Sequence, residues 1–281
     1  MTTLISWVSY SKTGSEPDTP AALYLVSDSR ISWGPSSIRW DAGRKVFAPI
    51  SRPHMFGYFG AVLLPALALG QIVDLINQGA LSDDDDQLAV EVESLLALSA
   101  SRQSNAPLGD FTIVHAYRRG SRRSTRFVVR CLAYRSSSSS WKSTAVSVPT
   151  DTDIVVELGS GAAASRLNRK AWDASDSGGW SRAVFSAFVD ALRSQKDRFT
   201  GGEPQGVALY KNGAPKLLGF SDRGRLFLNG LEIQPALNSR GIEWIDDLFQ
   251  RVDPATGKPK QGARRFGRPT SLSKSAASNE V

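Results

Sequence analysis

Tyr24-Leu25-Val26-Ser27-Asp28-Ser29-Arg30 is an apolar run that ends in Asp-Ser-Arg, and seventeen residues after Asp28 comes Lys45, within Gly43-Arg44-Lys45-Val46-Phe47. The first stretch reads as a strand and the second as the start of another, because β-rich residues in both are bounded by turn-formers. Twelve residues beyond Lys45 stands Gly57-Tyr58-Phe59-Gly60, which leads directly into a helical pattern. Taken singly, Asp28 with Lys45 is also an ordinary ion pair, and the two glycines also serve a tight turn.

Outward from this core the N-terminal part is a string of short strands, with candidates Leu4 to Val8, Ala22 to Asp28, Lys45 to Ile50 and Met55 to Phe59. Two helices follow. In the first, Leu64, Ala68, Ile72, Leu75 and Ile76 share one face and Gly79 marks the stop. In the second, Ser82 caps the start, Asp83 to Asp86 set negative charge against the helix dipole, and Leu88, Val92, Leu95, Leu96 and Ser99 recur at helical spacing. The acidic run therefore has a structural explanation that is preferred to a metal site.

Strands resume at Phe111 to Tyr117 and Thr125 to Tyr134 and, after the Ser136 to Ser140 linker, at Thr144 to Val148 and Ile154 to Leu158. A helical stretch opens near Gly161, and a stronger one covers Ser181 to Gln195, with Val184, Phe185, Phe188, Val189 and Leu192 on one side. Further strands are expected at Gly206 to Tyr210, Lys216 to Phe220 and Leu226 to Leu228, and Trp244, Ile245, Leu248 and Phe249 read as one last helix. Blocks of strands alternating with helix pairs predict two facing sheets with helices outside, an α+β layered arrangement. No internal repeat is visible.

The totals exclude several classes. With 281 residues and 41% apolar content the chain can bury one large core or two small ones. Its longest apolar run, Val62 to Leu69, contains Pro65 and is far short of a membrane span, and no basic segment precedes an apolar signal core; a soluble, cytoplasmic protein is expected. One cysteine, Cys131, rules out an internal disulfide framework and reads as a small buried hydrophobe alternating with Val129 and Ala133. The two histidines, His54 and His115, lie in no recognisable zinc or serine-triad motif. Of the net charge of +7, the stretch from Pro254 to Val281 holds +5, from six basic residues against Glu280. The sequence thus divides into a single domain over 1–253 and a basic tail over 254–281, rich in Gly, Pro and Ser and expected to be disordered. Arg118-Arg119-Gly120-Ser121-Arg122-Arg123 reads as a solvated hairpin tip. Neither basic stretch shows interleaved aromatics for base stacking, so nucleic acid is not an expected partner.

A hydroxyl nucleophile needs a base, and without a suitable histidine a free α-amine can serve, its unperturbed pKa lying at roughly 7.7 to 8.0. Thr2 carries hydroxyl and amine on one residue once Met1, normally trimmed before so small a neighbour, is removed. Two later motifs join the set: Glu157-Leu158-Gly159-Ser160-Gly161-Ala162 at a strand-to-helix junction, and Asp197-Arg198-Phe199-Thr200-Gly201-Gly202 between a helix and the strand beginning at Val207. Together with the Asp-Ser-Arg strand end, the Lys-Val pair and the Gly-x-x-Gly turn these make five motifs in order which, following a threonine start, resemble the proteasome β-subunits and HslV-type peptidases. Those proteins are N-terminal-nucleophile hydrolases.

The resemblance implies a four-layer αββα sandwich of two mainly antiparallel sheets and a threonine-type endopeptidase or amidase without cofactor or metal. It implies Thr2 as nucleophile and base, Lys45 lowering the pKa of both groups and Asp28 holding Lys45. Ser160, Asp197 and Thr200 would orient the amine, and the Gly57 N–H would stabilise the oxyanion. It further implies a homo-oligomeric ring acting on peptide or unfolded protein, served by a separate ATP-dependent unfoldase, since the chain carries no phosphate-binding loop of its own. Three features depart from the family pattern: extra residues around Ser11 to Pro20, the apolar Leu63-Leu64-Pro65 after the turn, and the extension from about Ile233. Ser160 is also readable as a helix N-cap and Asp197 as a turn cap. Two other readings stand beside the enzyme: a catalytically silent structural or regulatory ring subunit, and a binding module acting through its basic tail.

Overall fold

The computed structural model describes residues 2–11, 19–33, 38–102, 108–234, 241–270 and 272. In chain order the elements are β1 (Thr3–Tyr10), β2 (Pro20–Ser27), β3 (Ile31–Ser32), β4 (Arg39–Trp40), β5 (Val46–Phe47), β6 (His54–Gly60), α1 (Leu63–Asn77), α2 (Asp85–Ser101), β7 (Phe111–Arg119), β8 (Arg126–Arg135), β9 (Ser140–Val146) and β10 (Asp153–Gly159). They continue with α3 (Ala162–Asp173), α4 (Ser181–Arg193), β11 (Gln205–Tyr210), β12 (Lys216–Asp222), β13 (Arg225–Leu228), β14 (Leu231–Ile233) and β15 (Ile242–Ile245).

One sheet runs β10-β1-β2-β11-β12-β13-β14, with β15 added beside β12; a second runs β5-β6-β7-β8-β9, and β3 pairs with β4 as a separate ribbon. All pairings are antiparallel except that of β15 with β12.

β1 and β2 are largely apolar, and buried along most of their length, because both of their faces are covered, and strand alternation sorts their side chains. Leu4 and Val8 of β1, with Leu23 and Leu25 of β2, meet Met55, Val114 and Val129 of the second sheet in one cluster. Ile5, Trp7, Tyr24 and Val26 face the other way and pack on Val184, Phe185, Phe188 and Leu192 of α4. On the far face of the second sheet, Phe56, Tyr58, Phe111 and Ile113 pack on Leu64, Leu69 and Ile72 of α1 and on Leu88, Val92 and Leu96 of α2. Leu64, Ala68, Ile72 and Ile76 of the predicted α1 stripe and Leu88, Val92 and Leu96 of the predicted α2 stripe are buried, whereas Leu75 and Ser99 are exposed.

Three expectations change. In place of the helix expected at Trp244 to Phe249, Trp244 and Ile245 end the short strand β15, parallel to β12 in the register Leu217↔Ile242 to Phe220↔Ile245, and a turn follows in which Phe249 N donates to Asp246 O. Trp244 lies where a Cβ on Gly219 would be 2.4 Å from its indole, so the bare glycine admits the ring and the strand docks there. The helix α2 is capped by Asp84, whose carboxylate accepts from the N–H groups of Asp86 and Gln87, and Ser82 instead accepts from Asp84 N. Residues 254–270, read from sequence as the start of a free tail, make specific contacts. Val252 bridges to Pro259, Phe266 N donates to Gln250 Oε1 at 2.7 Å, and Arg268 forms a two-pronged pair with Asp190 of α4. Residues 271 and 273–281 lie outside the described residues, as does most of the insertion around Ser11 to Pro20. No helix among the described residues is long and apolar enough to cross a membrane.

A histidine pair invisible to motif reading sits in the second sheet. His54 on β6 and His115 on β7 are both fully buried, with His54 Nδ1 and His115 Nε2 2.9 Å apart and His54 Nε2 3.1 Å from Asp85 Oδ1. Asp85 belongs to the acidic run at the start of α2, so that run also anchors the helix to the sheet; Asp86 accepts from the Tyr117 hydroxyl at 2.6 Å and from Arg119. Burial pushes the His54 imidazole down against the upward pull of Asp85, and it holds His115, which also faces His54 and Arg130, well below the usual histidine range.

The folded chain therefore takes up these protons only at lower pH than the unfolded chain, whose histidines titrate near roughly 6.5. Stability is unaffected by the pair above that value and falls as pH drops below it. The urea midpoint should fall between about pH 7 and 5.5, and His115→Leu should lower the whole curve yet flatten this limb; a wild-type midpoint constant over that range contradicts the assignment.

Candidate functional site

The last residue of β2 hands the chain to Asp28, whose carboxylate is fully buried and gathers donors from separate segments. Lys45 Nζ lies 2.9 Å from Asp28 Oδ1, and the same oxygen accepts from Thr3 N at 2.9 Å. The other oxygen accepts from Arg30 N at 3.2 Å and Gly201 N at 3.1 Å. The ammonium of Lys45 is thus one carboxylate oxygen away from the backbone of the chain's second and third residues. Both partners of the ion pair are essentially without solvent contact. Burial pushes the Lys45 ammonium below the usual lysine range, while the Asp28 charge and hydrogen bond pull it back up.

The junction after β10 completes the surroundings of Thr2, which is itself buried, as is Thr3. Gly159 pairs with Thr3 across β1 and β10, and with φ of +98° it turns so close that a Cβ there would lie 1.7 Å from Thr2 O. A Cβ on Gly161 would lie 2.0 Å from Thr3 Oγ1 and 2.9 Å from Thr200 Cγ2. The structure therefore brings together Thr2, Thr3, Asp28, Lys45, the glycines of the Gly-Ser-Gly junction, Thr200 and Gly201.

Other predicted members stand differently. Ser160 lies between those two glycines but is exposed, and it does not cap α3, whose N-cap is Gly161 without a side-chain hydrogen bond. Asp197 acts as a turn cap, with Oδ1 accepting from Phe199 N at 3.0 Å and its carbonyl from Thr200 N at 3.2 Å.

Gly57 is mid-strand in β6, flanked by Val46 on one side and Val114 on the other. N–H groups point alternately to the two sides of a strand. Tyr58 N donates to Lys45 O at 3.2 Å, so the Gly57 N–H points the opposite way, into the ladder with β7, and the Gly60 N–H points to the Lys45 side. That direction counts against the expected oxyanion role of Gly57, and by the same alternation the N–H of Gly60, at the strand end with φ of +99°, lies on the lysine side. A hollow of about 270 Å³ opens beside it, lined by Ile31, Trp33, Val62, Leu63 and Leu108.

Two further groups support the ion pair. Gln205, the first residue of β11, places Nε2 within 3.2 Å of Asp28 O, 2.9 Å of Ser29 Oγ and 2.8 Å of Gly43 O, while its Oε1 accepts from Lys45 N and Val46 N. It ties together the two segments that carry the ion pair. Arg30 forms a two-pronged pair with Asp41 and also donates to the carbonyls of Arg198 and Thr200 at 3.1 Å. The Asp41 hydrogen bond raises the Arg30 guanidinium and lowers the Asp41 carboxyl. The Asp-Ser-Arg motif pointed to Arg30, but nothing in the sequence pointed to Gln205. Among the described residues no cluster of His, Cys, Asp and Glu is arranged to hold a metal ion.

Removing one partner of a buried ion pair strands the other charge, at a cost of about 3–5 kcal/mol. Asp28→Asn is expected to lose stability of that order in denaturant unfolding, and Asp28→Asn combined with Lys45→Met, which keeps an acceptor for the N–H groups of Thr3, Arg30 and Gly201 while removing the stranded charge, to recover part of it; a loss below about 1 kcal/mol for Asp28→Asn would mean that the pair behaves as a solvated one.

No protein-family model matches this sequence, and no curated protein matches it. The chain is similar in fold to eukaryotic HslV from Trypanosoma brucei, with 15% sequence identity, 74% of this chain and 99% of that chain covered, and a TM-score of 0.43. A likeness of that degree assigns neither chemistry nor residue roles, which stand or fall on the geometry around Asp28.

Proposed function

We propose that the chain is a threonine-type N-terminal-nucleophile hydrolase, cleaving peptide or amide bonds through an acyl-enzyme on Thr2, and that its two sheets and two helix pairs form a four-layer αββα sandwich. The observation that carries the reading is the shared oxygen of Asp28, which holds the buried Lys45 ammonium beside the backbone of Thr3. A cation in that place favours the neutral amine and the alkoxide of the preceding residue.

In the reaction, Thr2 Oγ attacks the scissile carbonyl carbon and its proton passes to the Thr2 amine, directly or through water. The oxygen of the tetrahedral intermediate takes the negative charge, which the Gly60 N–H and the Lys45 side stabilise. Collapse expels the amine product with that proton, and water then releases the acid product and restores the hydroxyl. Asp28 and Gln205 position Lys45. Thr200 stands against the Gly161 turn that bounds Thr2 and Thr3, and Ser160 and Asp197 complete the turns on that side. The apolar hollow beside Gly60 suits an apolar substrate side chain. Every step needs Met1 removed, because an amide nitrogen cannot accept the proton. The ring assembly, the separate unfoldase and the cytoplasmic setting implied by the motif resemblance belong to the same proposal.

A second reading, a catalytically silent subunit with the same fold, is favoured by one observation: Thr2 is only 2% exposed. N-terminal mass spectrometry together with Thr2→Ala separates the two. The enzyme reading predicts a chain beginning at Thr2 and hydrolysis of short fluorogenic peptides that Thr2→Ala abolishes with assembly intact. Equal turnover by both forms, or a uniformly retained Met1, contradicts it.

A further inference from the structure

A second cavity, of about 440 Å³, lies at the opposite end of β1 from Thr2, where Ser9 and Tyr10 meet the start of α4 and the segment carrying Arg264 and Phe266. Ser9 is seven residues along the strand from Thr2, roughly 23 Å at about 3.3 Å per residue. A volume of this size accepts a small organic ligand.

Its walls combine two kinds of surface. Tyr24, Trp180, Phe249 and Phe266 supply aromatic faces. Arg182 and Arg264 supply positive charge, against the single acid Asp176 among the described lining residues, whose side chain is largely exposed. Both arginines are set on rings, Arg182 at 4.4 Å from the centre of Phe266 and Arg264 at 5.7 Å from that of Trp180. Arg182 is 8% exposed; its Nη2 donates to Ser177 Oγ and to the Gly267 carbonyl and lies 3.7 Å from Asp176 Oδ1, while its Nε is buried without a partner. Ser181 Oγ, on a second lining residue, is another such atom.

Buried polar groups are ordinarily satisfied, and both of these lining residues can donate. The N-terminus of α4 adds to them, since its N-cap, Trp180, makes no side-chain capping bond and the first N–H groups of a helix attract anions. We infer that this cavity binds a small aromatic anion, with its carboxylate or phosphate against Arg182, Ser181 and the start of α4 and its ring among Tyr24, Trp180, Phe249 and Phe266. The site shares no residue with the surroundings of Thr2, so it stands independently of the hydrolase reading.

The test is calorimetric titration of the full-length protein with phenyl phosphate and with phenylacetate, using benzyl alcohol and orthophosphate as the ring alone and the charge alone. The inference expects saturable one-to-one binding of at least one aromatic anion, with the better of the two identifying the acid group. It expects binding at least about tenfold weaker for either half alone and for Arg264→Ala, loss on filling the cavity with Ser181→Leu, and no change in Thr2→Ala. Circular dichroism confirms that the variants fold. Absence of saturation by both aromatic anions up to about 10 mM, orthophosphate binding as tightly as either, or binding indifferent to both Arg264→Ala and Ser181→Leu overturns it.

Discussion

The buried pair of Asp28 and Lys45 is the constraint around which the chain is organised. An ammonium with no solvent contact is tolerable only beside a counter-charge, and that carboxylate must then be satisfied on its remaining lone pairs. Here the N–H groups of Thr3, Arg30 and Gly201 do so. Each comes from a different part of the chain, so one carboxylate fixes the start of β1, the turn after β2 and the loop before β11 relative to Lys45. A buried ion pair contributes little net stability compared with apolar residues of the same volume. That is the reason we read this one as serving chemistry.

The two sheets make such burial possible. Because β1 and β2 are covered on both faces, their ends open onto a water-poor space between the sheets, and Lys45 enters it from β5 at the edge of the second sheet. Gln205 joins the two sides by accepting from the Lys45 and Val46 backbone while contacting Asp28 O and Gly43 O. Gly159 lets β10 close over the Thr2 carbonyl, an approach that a side chain would forbid. The frame is thus made of long-range hydrogen bonds and close backbone contact as much as of apolar area.

Much of this was legible in the sequence. Most of the longer strands show as β-rich runs between turn residues, α1, α2 and α4 as helical spacing, and the pairing of Asp28 with Lys45 as what the motif resemblance implies. What was not legible depends on pairing at a distance. Trp244, Ile245, Leu248 and Phe249 fit a helical stripe, but only contact with Gly219 on β12 decides that this short segment runs as a strand. Gly57 and Gly60 are equivalent as letters, and the hydrogen bond from Tyr58 to Lys45 distinguishes the directions of their N–H groups. His54 and His115 lie 61 residues apart and become partners only through the register of β6 and β7. Gln205 has no local signature at all, since its role is to meet backbone groups contributed by two other segments.

The central claim is that one residue, Thr2, supplies both the attacking oxygen and the proton acceptor beside Lys45. Reaction of the purified protein with a threonine-directed β-lactone, followed by peptide mapping, tests it most directly. The account predicts a single acyl adduct on the Thr2 hydroxyl of a chain that begins at Thr2, and its loss when Lys45 is changed to alanine in protein that still folds. A folded chain beginning at Thr2 that takes up no label there, or labelling that persists unchanged without Lys45, contradicts it.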